Sequence, residues 1–328
     1  DETRTRPRAD QGAPENTSFE VQVLHGPARS FNLSYEKHLK IVDIMASIGS
    51  YQLYTVETGR FGLDGGAMFG IVPKPLWKTK IAADELNRIP LKARCLLIED
   101  GNRLILVDNG IGDKYNEKFA SIYSVDNESE DLTRSLFALG FSKGDITDVI
   151  LTHLHFDHCG GSTHQVNGKL EVAFKNATFH VQKSHWDWAQ VSNAREKASF
   201  LPENLAPLAS SGQLNLVEGR FDLFPGIELI PVDGHTKAMQ LVRVHTDNQS
   251  LLFTADLLPT HAHLLPAWNM GYDLWPLTTI DEKAKILAQA IGEKWNLFFE
   301  HDPVVSLCDV IQGSRGPEVS NPRPLYDL

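Results

Sequence analysis

The segment of residues 151–161, LTHLHFDHCGG, places four metal-capable side chains close together: His153, His155, Asp157 and His158. It follows the apolar run 149–151, which predicts a short buried strand, and it ends in two glycines that suit a tight turn. Because alternate residues of an extended segment share a face, His153 and His155 can bind one ion together. Asp157 and His158 follow where the chain turns and can serve a second ion.

Four such ligands exceed what one segment usually gives to a single structural site. The number of candidate ligands in this one segment therefore favours a catalytic centre, in which a coordination position stays open for water. The alternatives are a surface histidine cluster and a closed zinc site that only stabilises the fold. Ligands elsewhere in the chain would decide between these interpretations.

The sequence THLHFDH resembles the HxHxDH signature of the metallo-β-lactamase superfamily. That family has an α/β fold, a four-layer αββα sandwich with a dinuclear metal site at one edge. The resemblance extends over residues 50–302. It implies three more ligands at the ends of later strands, and this chain has one candidate after each of three apolar runs: His235, Asp256 and His301.

The resemblance also implies how the ligands are shared. His153, His155 and His235 would hold one ion, Asp157, His158 and His301 the second, and Asp256 would bridge them. Imidazole with carboxylate suits zinc, which is the default for both divalent ions, with iron, manganese or cobalt as alternatives. A bridging hydroxide would attack the substrate, and Asp157 or Asp256 would pass a proton to the leaving alkoxide.

Two apolar loops predict a hydrophobic substrate site. Residues 61–80 (FGLDGGAMFGIVPKPLWKTK) and 257–279 (LLPTHAHLLPAWNMGYDLWPLTT) resemble segments of the lactonase and phosphotriesterase-like branch of the superfamily. The expected substrate-contacting residues are Met68, Phe69, Trp77, His261, His263, Trp268 and Tyr272. Lactonases of this branch carry tyrosine three positions after the bridging aspartate, where this chain has Pro259. We therefore expect Tyr272, His261 or His263 to contact the oxyanion instead.

These features predict a quorum-quenching lactonase that opens N-acyl-homoserine lactones. The alternatives are a phosphotriesterase, an aryl- or carboxylesterase and a glyoxalase II-like thioesterase. A non-enzymatic, metal-stabilised binder of acyl signals is a further alternative. Asp256 stands where thiolate-ligand β-lactamases have cysteine, which disfavours antibiotic hydrolysis.

Composition limits the partners of the chain. The formal net charge of −11 argues against a nucleic-acid partner, because such proteins must neutralise phosphates. No apolar stretch approaches the ~20 residues of a membrane span. The three cysteines (Cys95, Cys159 and Cys308) show no CxxC spacing, which favours a reducing compartment and a cytoplasmic protein, with a secreted form as the alternative. Cys159 is interpreted as a packed thiol. A homodimer is an open alternative because the family often dimerises.

The elements that must position the site follow from periodicity and turn residues. We expect an N-terminal arm at 1–47, partly disordered or vector-derived, a hydrolase domain at 48–312 and a tail at 313–328. Strands are predicted at 93–98, 103–108, 178–182, 214–217, 227–232, 241–245 and 251–254. Helices are predicted at 129–139 and 281–294, and another begins after Ser184 as its N-cap. Residues 192–212 are expected to form a helical insertion over the rim of the site. Asp108 is expected either to orient a ligand histidine or to cap a turn. His185 is expected to be a surface or packing histidine rather than an extra ligand.

Overall fold

A computed structural model describes residues 45–191 and 193–328 of the chain, so nearly all of the predicted arm at 1–47 lies outside the described residues. The first of its two seven-stranded sheets has the strand order β1-β2-β3-β4-β5-β8-β9. Its strands are β1 (Met45–Ile48), β2 (Tyr51–Asp64), β3 (Arg88–Glu99), β4 (Leu104–Val107), β5 (Asp148–Ile150), β8 (Thr178–Gln182) and β9 (Leu214–Val217). A separate hairpin joins β6 (Thr163–Val166) to β7 (Lys169–Val172).

The second seven-stranded sheet runs in sequence order from β10 to β16. Its strands are β10 (Phe221–Phe224), β11 (Ile227–Val232), β12 (Met239–His245), β13 (Ser250–Phe253), β14 (Asn296–Phe298), β15 (Leu307–Gln312) and β16 (Pro317–Arg323). The α-helices of the described residues are α1 (Gly65–Phe69), α2 (Lys74–Trp77), α3 (Glu117–Tyr123), α4 (Leu132–Leu139), α5 (Phe156–Cys159), α6 (Lys183–Gln190), α7 (Pro202–Ser211) and α8 (Pro276–Glu293).

Alternation along the strands builds the layers. In β3, Leu96 and Ile98 join the core between the sheets, whereas Cys95 and Leu97 join the core on the outer face of the first sheet. Successive strand residues point to opposite faces, so one apolar strand serves both cores. Buried residues of α4, α6 and α7 cover that outer face, and α8 packs against the second sheet. The predicted αββα sandwich is confirmed.

Parallel pairing decides where the functional loops meet. Strand β5 lies parallel to β4 and β8, and β13 lies parallel to β14. The carboxyl ends of parallel neighbours share one sheet edge, where ligands of open α/β sheets commonly bind. The segments that follow β5, β13 and β14 carry the HxHxDH motif, Asp256 and His301.

Several boundaries differ from the sequence-based expectations. Strand β3 begins at Arg88 rather than at residue 93, and helix α4 begins at Leu132 rather than at residue 129. Residues 313–328, expected as a tail, supply strand β16, which pairs with β15, and Leu325 is buried in the central core. Helix α8 begins at Pro276 rather than at residue 281, because proline at the first helical position leaves no hydrogen bond unmade. Helix α6 begins at Lys183, so Ser184 lies in its first turn and is not the N-cap. Within the described ranges, the helices lack the combination of length and apolar character that crossing a bilayer requires.

Candidate metal centre and substrate cavity

The structure brings together all seven side chains predicted as metal ligands. One group consists of His153, His155, His235 and Asp256, with the candidate ligand atoms within 4.8 Å of one another. Nε2 of His153 lies 3.1 Å from Nδ1 of His155, which lies 3.2 Å from Nε2 of His235. Nε2 of His235 is also 3.2 Å from Oδ2 of Asp256. Three ring nitrogens and a carboxylate oxygen therefore face one point.

Asp157, His158 and His301 form the second group, again with ligand atoms within 4.8 Å of one another. Nε2 of His158 and Nε2 of His301 are 3.1 Å apart. Oδ1 of Asp256, the oxygen not turned to the first group, lies 3.2 Å from Nε2 of His301 and 3.6 Å from Nε2 of His158. The carboxylate of Asp256 therefore stands between the groups with one oxygen towards each.

The ring nitrogens that point away from this centre each face an oxygen atom. The pairs are His153 Nδ1 with Thr152 Oγ1 (3.1 Å), His155 Nε2 with Glu196 Oε1 (3.5 Å), His158 Nδ1 with Asp108 Oδ2 (3.1 Å), His235 Nδ1 with Asp273 Oδ1 (3.0 Å) and His301 Nδ1 with the Lys92 carbonyl (2.8 Å). An outer acceptor fixes the ring proton on the outer nitrogen and leaves a lone pair on the inner one, as in metal-binding histidines generally.

The residues present fit a pair of cations. Inner nitrogens that all carry lone pairs would repel one another at 3.1–3.2 Å, whereas two nitrogens bound tetrahedrally to one zinc ion lie about 3.3 Å apart. Oδ1 of Asp256 is buried and has no hydrogen-bond donor among the described residues. Both observations indicate a set of metal ligands rather than a cluster of polar side chains that hydrogen-bond to one another.

Burial and local charge set the protonation of the centre. Burial, together with His158 and His155, holds the pKa of His153 well below its ordinary value, so this ring is neutral. Burial acts to raise the pKa of Asp256, but His158, His235 and His301 outweigh it and hold that pKa well below its ordinary value. His153 and Asp256 are thus in the forms that bind metal. Burial acts to lower the pKa of His235 and of His301, but Asp256 and other nearby carboxylates outweigh it and both pKa values are raised, that of His301 to about 9, so metal binding displaces protons there.

Local structure explains how the sequence positions these atoms. His153 and His155 lie in the extended segment after β5, and the short helix α5 then turns Asp157 and His158 towards the second group. Asp256 lies in a 3-10 helix, Ala255–Leu257, directly after β13. Its neighbour Ala255 has a φ of 42°, a left-handed conformation that costs energy for a residue with a Cβ and is typical of functional sites.

Asp108 orients a candidate ligand, which was one of its two predicted roles. It accepts hydrogen bonds from the Thr152 backbone N–H (2.7 Å) and hydroxyl (2.6 Å) while facing His158. His185 packs as expected: its Nε2 accepts from the Leu154 N–H at 2.8 Å, and burial lowers its pKa to about 3. Cys159 is a buried thiol that donates to the Leu154 carbonyl at 3.3 Å.

Sequence reasoning missed three acidic residues around the centre. Glu196 faces His155, Asp273 faces His235, and Glu300 places Oε2 3.0 Å from Nδ1 of His158. Glu300 directly precedes the predicted ligand His301, which was a usable signal. Glu196 and Asp273 lie in irregular segments between elements, where no periodic pattern marks them.

A cavity of about 310 Å³ opens beside the two groups. Its wall includes metal-group side chains from both sheets, among them Asp157, His235 and Asp256. The rest of the wall combines a polar side, which includes Arg195, Glu196 and Ser199, with apolar or aromatic side chains: Leu63, Met68, Tyr123, Phe156, Met270 and Tyr272. An apolar cavity with a few convergent polar groups is the usual form of a small-molecule site.

Of the predicted substrate contacts, Met68 and Tyr272 line this cavity and the other five do not. Phe69 is fully buried, stacks on His263 at 4.7 Å and on Trp77 at 5.3 Å, and meets Trp268 edge-on. Phe69 belongs to helix α1, so this aromatic stack holds the helix that carries Met68. The apolar character of residues 61–80 therefore reflects packing as well as the cavity.

Both predicted histidine donors lie away from the cavity wall. His263 is buried between the Thr260 hydroxyl (2.8 Å) and the Met68 carbonyl (2.8 Å). His261 pairs with Asp302 and lines a separate groove with Leu265 and Arg315. Of the three candidates for the oxyanion contact, the cavity wall includes Tyr272.

Comparison with protein families gives a match to the model described as Metallo-beta-lactamase superfamily, over residues 88–297. An N-acyl homoserine lactonase from a Bacillus species is 27% identical over 264 residues, which cover 76% of this chain and 93% of the relative. An N-acyl homoserine lactonase from Bacillus thuringiensis subsp. kurstaki, AiiA, is 25% identical over 262 residues, with the same coverage.

Solved structures share the fold. A probable metal-dependent hydrolase from Staphylococcus aureus superposes with a TM-score of 0.78 and 29% identity, covering 84% of this chain and 98% of that one. AidC, a dizinc quorum-quenching lactonase in complex with a product, superposes with a TM-score of 0.72 and 22% identity, covering 85% and 97%. At that lower identity, the likeness to AidC concerns the fold alone.

Proposed function

This chain belongs to the metallo-beta-lactamase superfamily and is a metal-dependent hydrolase, and from that premise we propose that it opens N-acyl-homoserine lactones at a dinuclear metal centre. The observation that carries the proposal is the position of Asp256, which turns one carboxylate oxygen to each of two buried ligand groups at the wall of an apolar cavity. The lactonase relatives, which this chain matches along 93% of their length, support the choice of substrate.

His153, His155 and His235 would hold one ion and Asp157, His158 and His301 the other, with Asp256 shared. Zinc is the proposed metal, because the donor set is imidazole and carboxylate. When bound, two such ions lower the pKa of a water molecule towards neutrality and polarise a carbonyl group.

The side chains of this chain bind and orient the substrate. Met68, Phe156 and Met270 form an apolar wall against which an acyl chain loses its contact with water. The Tyr272 hydroxyl is the proposed donor to the substrate oxygen that becomes negative during ring opening. Burial, with contributions from Tyr123 and Asp157, raises the pKa of Tyr272, so its proton is retained at neutral pH. Asp157, on the same wall, is the proposed carrier of a proton to the leaving alkoxide oxygen.

A substrate panel tests the proposal. Zinc-loaded enzyme is assayed with N-acyl-homoserine lactones of different chain lengths, aryl esters, phosphotriesters and thioesters. We expect the highest kcat/KM on the acyl lactones. A preference for esters, phosphotriesters or thioesters would assign the same centre to another substrate class, and intact lactones at high enzyme concentration would refute the lactonase proposal.

A chelator titration separates catalysis from a purely structural metal. Hydrolysis and melting temperature are followed in the same samples. Loss of hydrolysis at chelator concentrations that leave most of the fold intact supports a catalytic centre. Binding of acyl lactones without any turnover, whatever the metal content, would instead support the acyl-signal binder.

A further inference from the structure

Residues 193–200, between α6 and α7, form the rim segment of the cavity, and Glu196 is its buried charged residue, with 3% of its surface exposed. Both carboxylate oxygens are engaged. Oε1 accepts from the Thr236 hydroxyl at 2.6 Å. Oε2 accepts from the Trp188 indole N–H and from the Asn193 amide, each at 2.7 Å. The carboxylate is thus held in one position by three donors.

His155 presents its outer nitrogen to this fixed carboxylate. Nε2 of His155 lies 3.5 Å from Oε1 of Glu196, and among the described residues this buried nitrogen has no hydrogen-bond partner. A carboxylate in that position attracts the ring proton to Nε2. The lone pair then resides on Nδ1, the atom that faces His153 and His235.

The rim segment also reaches the other side of the same ligand group. The Arg195 guanidinium lines the cavity and donates to the carbonyls of Gly271 and Asp273. Asp273 in turn orients His235. Glu196 thus faces His155 directly, and Arg195 contacts the residue that orients His235. Both histidines belong to the first ligand group.

The second ligand group is supported from elsewhere. Asp108, which follows β4, faces His158, and the Lys92 carbonyl of β3 faces His301. Neither support belongs to the rim segment. A disturbance confined to Glu196 should therefore reach one ligand group and spare the other.

We propose that Glu196 is a positioning residue that fixes the ring of His155 for metal binding and thereby makes the first ligand group dependent on the rim of the substrate cavity. The inference rests on the proposed function, since it takes the first group to bind an ion.

The test compares Glu196→Gln with a matched control, Glu218→Gln, an exposed residue of the same type beyond α7. The pocket of Glu196 supplies hydrogen-bond donors to both carboxylate oxygens, from Thr236, Trp188 and Asn193, whereas an amide offers a single acceptor oxygen. The glutamine variant therefore leaves donors unpaired and removes the charge that holds the ring proton.

Zinc bound per chain is measured by elemental analysis after equilibration in chelator buffers of graded strength, with the melting temperature of the metal-free proteins alongside. In Glu196→Gln we expect one ion to be lost at 10–100-fold higher free zinc than in the wild type, and the other to follow the wild-type curve. Trp188→Phe, which removes one donor from Oε2 and keeps the carboxylate, should shift the same ion by a smaller factor.

Unchanged release of both ions in Glu196→Gln, or equal weakening of both, would overturn the inference. Should Glu196→Gln not fold, an unchanged release curve in Trp188→Phe would overturn it equally. Failure of the proposed function looks different. A wild-type chain that binds two ions, releases them stepwise in Glu196→Gln and yet leaves every acyl lactone intact would refute the lactonase proposal and uphold the role of Glu196.

Discussion

Replacing Lys283 with methionine should remove one defined contribution to the pH dependence of folding stability. Lys283 projects from α8 and is 1% exposed. Its ammonium group donates to the Trp268 carbonyl (2.8 Å), the Leu265 carbonyl (3.3 Å) and the Asn269 side chain (3.4 Å). This buried cation therefore holds the loop that carries the cavity residues Met270 and Tyr272.

The magnitude follows from the pKa of Lys283. Burial lowers this pKa from 10.5 to about 7, against a smaller opposing effect of Asp273. Between pH 7 and 10.5, the unfolded chain keeps a proton that the folded chain has lost, so the free energy of unfolding rises with pH. For a folded pKa of about 7, the contribution of Lys283 grows by about 2 kcal/mol between pH 7 and 9.

Urea denaturation at pH 7, 8 and 9 measures this contribution. The free energy of unfolding of the wild type minus that of Lys283→Met should increase by about 2 kcal/mol over this range. Lys285→Met, at an exposed position of the same helix, is the control and should give a constant difference. Parallel pH curves for the wild type and Lys283→Met would refute a depressed pKa for the buried lysine.

Two further predictions concern the centre itself. Asp256→Asn should lower the zinc content towards one ion per chain and remove most turnover, because one amide oxygen replaces a carboxylate that faces both ligand groups. Elemental analysis that still finds two tightly bound ions would contradict a bridging role. Tyr272→Phe should reduce kcat on acyl lactones about 10-fold or more with little change in KM, as expected for a donor that acts mainly in the transition state. The control Tyr123→Phe, at the other tyrosine of the cavity wall, should have a smaller effect. Equal kinetics for Tyr272→Phe and the wild type would show that Tyr272 only lines the cavity.

Local sequence patterns predicted the elements whose side chains alternate or follow a helical period. Strands β8, β9 and β11 have the predicted bounds, because short apolar runs between turn residues leave little choice of register. The edge strand β16 escaped this reasoning: its sequence PEVSNPR contains two prolines and no regular alternation, and its residues lie at the rim of the sheet. Its pairing with β15 is set by tertiary structure.

The ligand side chains of the centre were easier to predict from the sequence than the residues that orient them. The predicted ligand side chains meet because strands end at ligand-type residues, a signal that the sequence carries directly. Glu196 and Asp273 reach His155 and His235 through the fold, and no spacing rule relates those pairs. For the same reason His261 and His263, adjacent in sequence to cavity segments, turned out to pair with Asp302 and with the Met68 carbonyl.

The two ligand groups draw on both halves of the sandwich. His153 to His158 follow β5 of the first sheet, whereas His235, Asp256 and His301 follow β11, β13 and β14 of the second. Each bound cation would thus have ligands from both sheets and link one sheet to the other. A ligand that binds only the folded state adds about 2.7 kcal/mol to its stability when present at 100 times its dissociation constant. Metal supply would then govern how much of this protein survives heat and proteolysis, as well as how fast it works.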